Sequence, residues 1–167
     1  GLRAVLARGI IGSAPNGEAA FEENKQLFHD YHHAANGRIT VMFGPHAPYT
    51  CPPDFLRRVA AAAQDLHAEV HIHLAETKGE VENCLKEYGK TPIEIMESTG
   101  ILDCGVLGAH CVYLSDHDIQ LMKKYRVRAA HNPGSNMKLA SGIAPVTTLL
   151  TNGVCVGLAT DGPSRKH

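Results

Sequence analysis

The sequence predicts an α/β protein of parallel βα units, closed into a barrel or laid out as a doubly wound sheet. The pattern strand, polar loop, helix recurs about six times at spacings of roughly 20 to 40 residues. Five expected strands end in groups able to do chemistry: His46, His73 with Glu76, His110, His131 with Asn132, and Asp161. The stretch Glu69-Val70-His71-Ile72-His73-Leu74 alternates its sides, so His71 and His73 point the same way. The units share no sequence similarity, so the repetition is one of structure only.

In chain order, residues 2–11 hold a strand ending near Arg8-Gly9, and the Pro, Asn and Gly content of residues 13–17 makes a loop. A helix is expected over residues 18–35, with Phe21, Leu27, Phe28 and Tyr31 in helical register and His29, His32 and His33 on its solvated surface. A buried-type strand over residues 38–43 runs into Gly44-Pro45-His46-Ala47-Pro48-Tyr49, where flanking prolines restrict the backbone around His46. Pro52-Pro53-Asp54 opens a helix that reaches about Leu66. After the strand at 69–74 come a polar segment at 76–80, a helix at 80–88 capped by Gly89, and a helix opened by Thr91-Pro92. A short apolar strand covers 106–112, and Ser115 and Asp116 cap a helix over 118–125. The next strand, 127–130, leads into a polar loop at 131–136. A helix over about 145–152 and a strand over 154–159 bring the chain to Thr160-Asp161-Gly162.

Length and composition bound what this chain does. Its 167 residues can bury one good core, which suggests a single domain, and 44% hydrophobic with 20% charged residues is ordinary for a globular protein. A formal net charge of −1 argues for neither nucleic acid nor an anionic membrane as partner. No apolar run approaches the roughly 18 to 20 residues that span a bilayer. Five cysteines without CxxC spacing point to reduced thiols and a cytoplasmic setting. The chain opens at Gly1 inside a patterned segment and stops at His167 just past a strand and turn, so a piece of a longer protein is the expectation.

Eleven histidines are the one compositional excess, and several sit where strands end. In a parallel βα barrel those ends converge on one face, where sites are built. Imidazole and carboxylate suit zinc or another first-row divalent ion. A histidine at a strand end with a carboxylate three residues on suits a metal ligand beside a proton-transfer group. The competing reading is a pair of hydrogen-bonded core histidines and a solvated glutamate, with His46 as a loop cap and His131 as a loop organiser.

The segments His-Ile-His-Leu-Ala-Glu-Thr (71–77), Ala-His-Cys-Val (109–112), His-Asn-Pro-Gly-Ser-Asn-Met-Lys-Leu-Ala-Ser-Gly-Ile-Ala-Pro-Val (131–146) and Ala-Thr-Asp-Gly (159–162) resemble the amidohydrolase superfamily. Within it, they look most like the 5-methylthioadenosine/S-adenosylhomocysteine deaminases, and motif order matches along essentially the whole chain. The resemblance implies a TIM-like (β/α)8 barrel, here a partial barrel of about strands three to eight, with residues 1–167 as one partial catalytic domain. It implies one divalent metal, zinc in the first place and iron or manganese otherwise, with His73 and Asp161 as ligands and His71 in the barrel interior. Glu76 would protonate the purine ring nitrogen, His110 would hold or polarise the attacking water, and Asp161 would also take that water's proton. Arg8 and His46, with Glu76 and Asp161, would contact the substrate.

The family's first-strand His-x-His pair is absent from this sequence, and Pro163-Ser164-Arg165-Lys166-His167 replaces the Ser and Asn residues usual after the Asp-Gly. Weak metal binding and no useful activity are therefore expected from these residues alone, with exposed strand edges prone to aggregation. The reaction implied is hydrolytic deamination of an adenine ring in a small purine nucleoside, with no nucleic acid or membrane partner and homo-oligomerisation left open. Two alternatives stand: an amidohydrolase acting on guanine, 8-oxoguanine or a triazine, and a non-catalytic metal-binding scaffold of the same fold.

Overall fold

A computed structural model describes residues 1–162. Six strands follow the sheet order β1 (Ala4–Ile10), β2 (Ile39–Pro45), β3 (Val70–Leu74), β4 (Val106–His110), β5 (Arg128–His131), β6 (Val156–Leu158). Parallel pairing joins β1 to β2, β2 to β3, β4 to β5 and β5 to β6. Each strand lies beside its predecessor in sequence. A doubly wound sheet must reverse its order at a switch point; a barrel need not. The sequential order is that of a partial barrel. The helices between strands are α1 (Gly17–Tyr31), the four-residue turn α2 (Ala34–Gly37), α3 (Pro53–Asp65), α4 (Lys78–Tyr88), α5 (Pro92–Ser98), α6 (Asp116–Lys124), α7 (Pro133–Lys138) and α8 (Val146–Thr151), with one 3-10 turn, η1 (Ile101–Cys104).

The chain divides into two compact units. The first comprises Gly1–Ile72 and Met96–Val106. Its core gathers Ile10, Phe43, Leu56 and Val59, each no more than 1% exposed. Phe21 meets Phe43 edge-on at 6.1 Å and Phe55 at 5.7 Å, joining α1, β2 and α3 through aromatic contacts. Asn24 of α1 is fully buried and stitches the two strands together. Its Oδ1 accepts from Arg8 N (3.2 Å) and Gly44 N (3.1 Å), while Nδ2 donates to Met42 O (3.1 Å).

The second unit comprises His73–Ile95 and the segment from Leu107 onward. Leu74, Ile93, Met122 and Leu149 form its buried apolar centre. Helix α6 begins with a full capping box: Ser115 Oγ accepts from Asp118 N (3.1 Å), and Asp118 Oδ2 accepts from Ser115 N (2.8 Å). Gly89 ends α4 at φ 66, the left-handed cap expected of it.

Three local expectations are corrected. The helix of residues 18–35 stops at Tyr31, because His32 is extended and His33, Ala35 and Asn36 take positive φ. His32 therefore leaves the solvated surface: it stacks on Phe28 at 4.1 Å and accepts a hydrogen bond from Val41 N (3.1 Å). The polar loop expected at 131–136 gives way at Pro133 to the short helix α7, which runs to Lys138 with Pro133 in its first turn. The polar segment 76–80 is also shorter than expected, since Thr77 already caps α4.

The first and last strands both expose apolar side chains, with Val5 64% and Leu158 84% exposed. All five cysteines are free thiols. Among the described residues no helix is long and apolar enough to cross a membrane. The segment Pro163 to His167, which the sequence singles out, lies outside the described residues.

Gly44 permits the close approach of β2 to β1: a Cβ there would meet Arg8 O at 2.7 Å and Ala7 Cβ at 3.1 Å. Gly44→Ala is expected to destabilise the chain by about 1–3 kcal/mol through forced strand separation. A urea or thermal unfolding curve compared with the parent checks this.

Candidate active site

In β3, Val70, Ile72 and Leu74 are buried while His71 and His73 are half-exposed on the opposite face, the alternation expected of the strand. One residue past the strand, Ala75 turns into left-handed backbone (φ 49). The following loop presents Glu76. At the neighbouring end of β4, His110 (φ 74) and Cys111 (φ 51) are left-handed as well. Cys111 N donates to Leu74 O (3.0 Å), while Val112 N and Tyr113 N both donate to Ala75 O (3.1 and 2.9 Å). Such conformations are costly for residues with a Cβ and persist where surrounding bonds hold them, often at functional sites.

Those two turns bring three of the expected residues together. His110, fully buried at its side chain, stacks on His73 with ring centroids 5.4 Å apart, and its Nε2 lies 3.7 Å from Glu76 Oε2. The other ring nitrogen, Nδ1, is 2.8 Å from Asn136 Oδ1 and donates to it, which leaves Nε2 as the nitrogen turned to Glu76. Nε2 is buried without a hydrogen-bond partner, and so is Nδ1 of His131. Buried unmatched polar atoms of this kind suit a polar ligand or a water.

Asp161, left-handed at φ 61, accepts from Ser135 Oγ (2.7 Å) and from Gly162 N (2.7 Å). Ser135 and Asn136 are neighbours on α7, so one short helix holds both the Asp161 carboxylate and the His110 ring. Neither residue is singled out by sequence reasoning. Asn132-Pro133, a polar residue ahead of a first-turn proline, is the signal that could have revealed the helix.

The first unit carries the other two expected residues. His46 follows β2, with Nδ1 2.9 Å from Thr50 Oγ1 and its ring edge-on to Tyr49 at 5.9 Å. Arg8 lies on β1, where Nε donates to Glu23 Oε2 (2.6 Å) and a terminal nitrogen to Gly9 O (2.7 Å). Its guanidinium is thus engaged by α1.

Zinc takes about four donors, and His73 and Asp161 are of the right types. Among the described residues no group of three or more His, Cys, Asp or Glu is arranged to hold a metal. The donor chemistry fits, as a partial set.

Glu80, in the first turn of α4, is 5% exposed. Burial pushes its carboxyl up to about 7, outweighing the backbone N–H groups of Glu76, Ala75 and Thr77, which favour the charged form. Burial, with a contribution from Glu80, also pushes the Cys111 thiol up to about 12.

The sequence matches the amidohydrolase family over residues 1–166. The chain belongs to that family. It is 53% identical over 167 residues to the 5-methylthioadenosine/S-adenosylhomocysteine deaminase of Desulfitobacterium hafniense (strain DSM 10664 / DCB-2), covering 100% of this chain and 39% of that protein. The chain therefore spans about two fifths of this relative's length. The zinc-bound crystal structure of an adenosine deaminase from Xanthomonas campestris superposes with a TM-score of 0.88 at 30% identity, over 96% of this chain and 37% of that one. The guanine-bound guanine deaminase of C. acetobutylicum gives 0.85 at 21% identity, over 94% and 39%, a likeness of fold alone.

Because folding raises the Glu80 carboxyl from 4.5 to about 7, the folded chain keeps a proton there that the unfolded chain has released between those values. This contribution to stability is full below pH 4.5 and is lost as pH rises through about 7. Unfolding free energies between pH 5 and 7 should show a slope that Glu80→Gln flattens, by on the order of 3 kcal/mol across the window.

Proposed function

We propose that these residues form part of one catalytic barrel domain of a metal-dependent hydrolytic deaminase, acting on the adenine ring of 5-methylthioadenosine or S-adenosylhomocysteine. The observation that carries this reading is the cluster of His73, Glu76 and His110 at the ends of β3 and β4, with Glu76 3.7 Å from an otherwise unpartnered, buried imidazole nitrogen. The name and 53% identity of the Desulfitobacterium relative support the choice of ring.

Deamination of an aromatic ring needs a proton delivered to the ring nitrogen as the amino-bearing carbon becomes tetrahedral. Glu76 is the carboxyl for that task, alternating between acid and base. His110, its tautomer held by Asn136, directs Nε2 toward the attacking water. His73 and Asp161 would hold the divalent metal, zinc in the first place, which when bound would supply activation of water near neutral pH. Arg8 and His46 contact the substrate, and Arg8 has donors for this beyond the Nε bonded to Glu23 and the terminal nitrogen bonded to Gly9 O. Ammonia and an inosine-type product leave. A purine nucleoside and a metal are thus the partners, in a cytoplasmic setting.

A chimaera in which these 167 residues replace the matching stretch of the Desulfitobacterium protein tests the reading. With zinc supplied, it should release ammonia from 5-methylthioadenosine and S-adenosylhomocysteine. Glu76→Gln should lower turnover by about 10²-fold or more, with zinc content unchanged. Turnover of guanine alone would keep the chemistry and move the substrate. Bound metal without turnover of any ring would favour a scaffold.

The isolated 167-residue chain should bind zinc only weakly, because two donors fall short of the about four that zinc takes. Stoichiometric, tight binding in a calorimetric titration would overturn the assignment of His73 and Asp161 as a partial ligand set.

A further inference from the structure

The start of α4 differs from that of α6 in one respect that bears on Glu76. Both helices open with a hydroxyl cap and an acidic residue three positions on. In α6, Asp118 reaches back to the N–H of the cap residue Ser115 itself (2.8 Å), the ordinary capping box. In α4 the acidic residue is Glu80, one methylene longer, and beyond the N–H of the cap Thr77 its oxygens also reach the two residues before it. Oε2 accepts from Glu76 N (2.8 Å) and Oε1 from Ala75 N (3.0 Å), while Glu80 N donates to Thr77 Oγ1 (3.1 Å). The carboxylate is thus fastened to the two residues that leave β3, one of them left-handed Ala75.

We propose that Glu80 is a positioning residue for the reaction. Its buried carboxylate grips the N–H groups of Ala75 and Glu76 and so fixes the turn from which the Glu76 side chain reaches His110. This rests on the reading of Glu76 as the proton carrier. Glu80 touches neither substrate nor metal in this scheme; it acts through Glu76. The same carboxylate caps α4. Glu94 of α5, also three residues past a threonine cap, stays on Thr91 N (2.7 Å), so glutamate length permits the longer reach without compelling it, and a shorter side chain removes it. The Ser115–Asp118 pair shows that aspartate at this position satisfies a cap N–H. Glu80→Asp therefore keeps a capped helix and withdraws the grip on Ala75 and Glu76.

The experiment compares Glu80→Asp, Thr77→Ala and Glu76→Gln in the zinc-loaded chimaera, reading kcat, KM, zinc content and melting temperature. Glu80→Asp should lose about 10-fold to 10²-fold in kcat, as small displacements of a reacting group do, with KM and zinc content close to the parent and a lower melting temperature, because the buried Ala75 N–H is left without its acceptor. Thr77→Ala, which removes the cap hydroxyl and leaves Glu80 in place, should melt earlier yet keep its kcat. If Glu80→Asp retains the parent's kcat, or if kcat follows melting temperature through both variants, Glu80 is a helix cap only and the proposal falls. Should Glu80→Asp fail to fold, Glu80→Gln replaces it: the amide leaves one of the two N–H groups facing a donor, and the same loss of kcat at constant KM is required. Substantial turnover in Glu76→Gln would instead remove the reading of Glu76, an outcome separate from retained activity in the Glu80 variants.

Discussion

A buried peptide group must find partners, and the peptide groups around Ala75 set the terms for the second unit. Its N–H is taken by Glu80 and its carbonyl by Val112 and Tyr113, which ties the exit of β3 to the chain beyond β4 and to the first turn of α4. Left-handed backbone at Ala75, His110 and Cys111 is the cost of meeting those bonds at once. What it secures is direction: Glu76 and His110 leave their strands toward one another.

The parallel arrangement extends this logic to α7. A helix after β5 places Ser135 against Asp161 and Asn136 against His110, so residues far apart in sequence depend on one support. Hydrogen bonds of this kind orient a side chain without joining the chemistry, and precise orientation is what acid–base groups require. The first unit shows the same economy in Asn24, whose single side chain satisfies β1 and β2 near the end that leads to His46.

Much of this was legible in the residues themselves. Alternation in β3 put His71 and His73 on one face, Pro52-Pro53 and Ser115 marked helix starts, and Gly89 marked an end. These signals are local, resting on backbone preference and cap chemistry a few residues apart. The amidohydrolase motifs added the barrel, which period alone left open against a doubly wound sheet. Long-range pairing was not legible. Nothing near Arg8 announces Glu23, nothing near His110 announces Asn136, and His32 reads as solvated until β2 lies beside it. Glu80 was visible only as a helix residue, though Thr77-Lys78-Gly79-Glu80 carries the spacing of a capping box.

The distribution of thiols has a practical consequence. Cys51, Cys84 and Cys111 are buried, Cys104 is half-buried and Cys155, just before β6, is exposed. Desolvation raises Cys84 and Cys104 to about 11 and Cys111 to about 12, leaving them almost without the thiolate that alkylating reagents attack. A maleimide dye would therefore settle on Cys155 and spare Cys111 beside His110. The chain carries its own attachment point for a fluorescent reporter, away from the strand ends where the candidate chemistry lies.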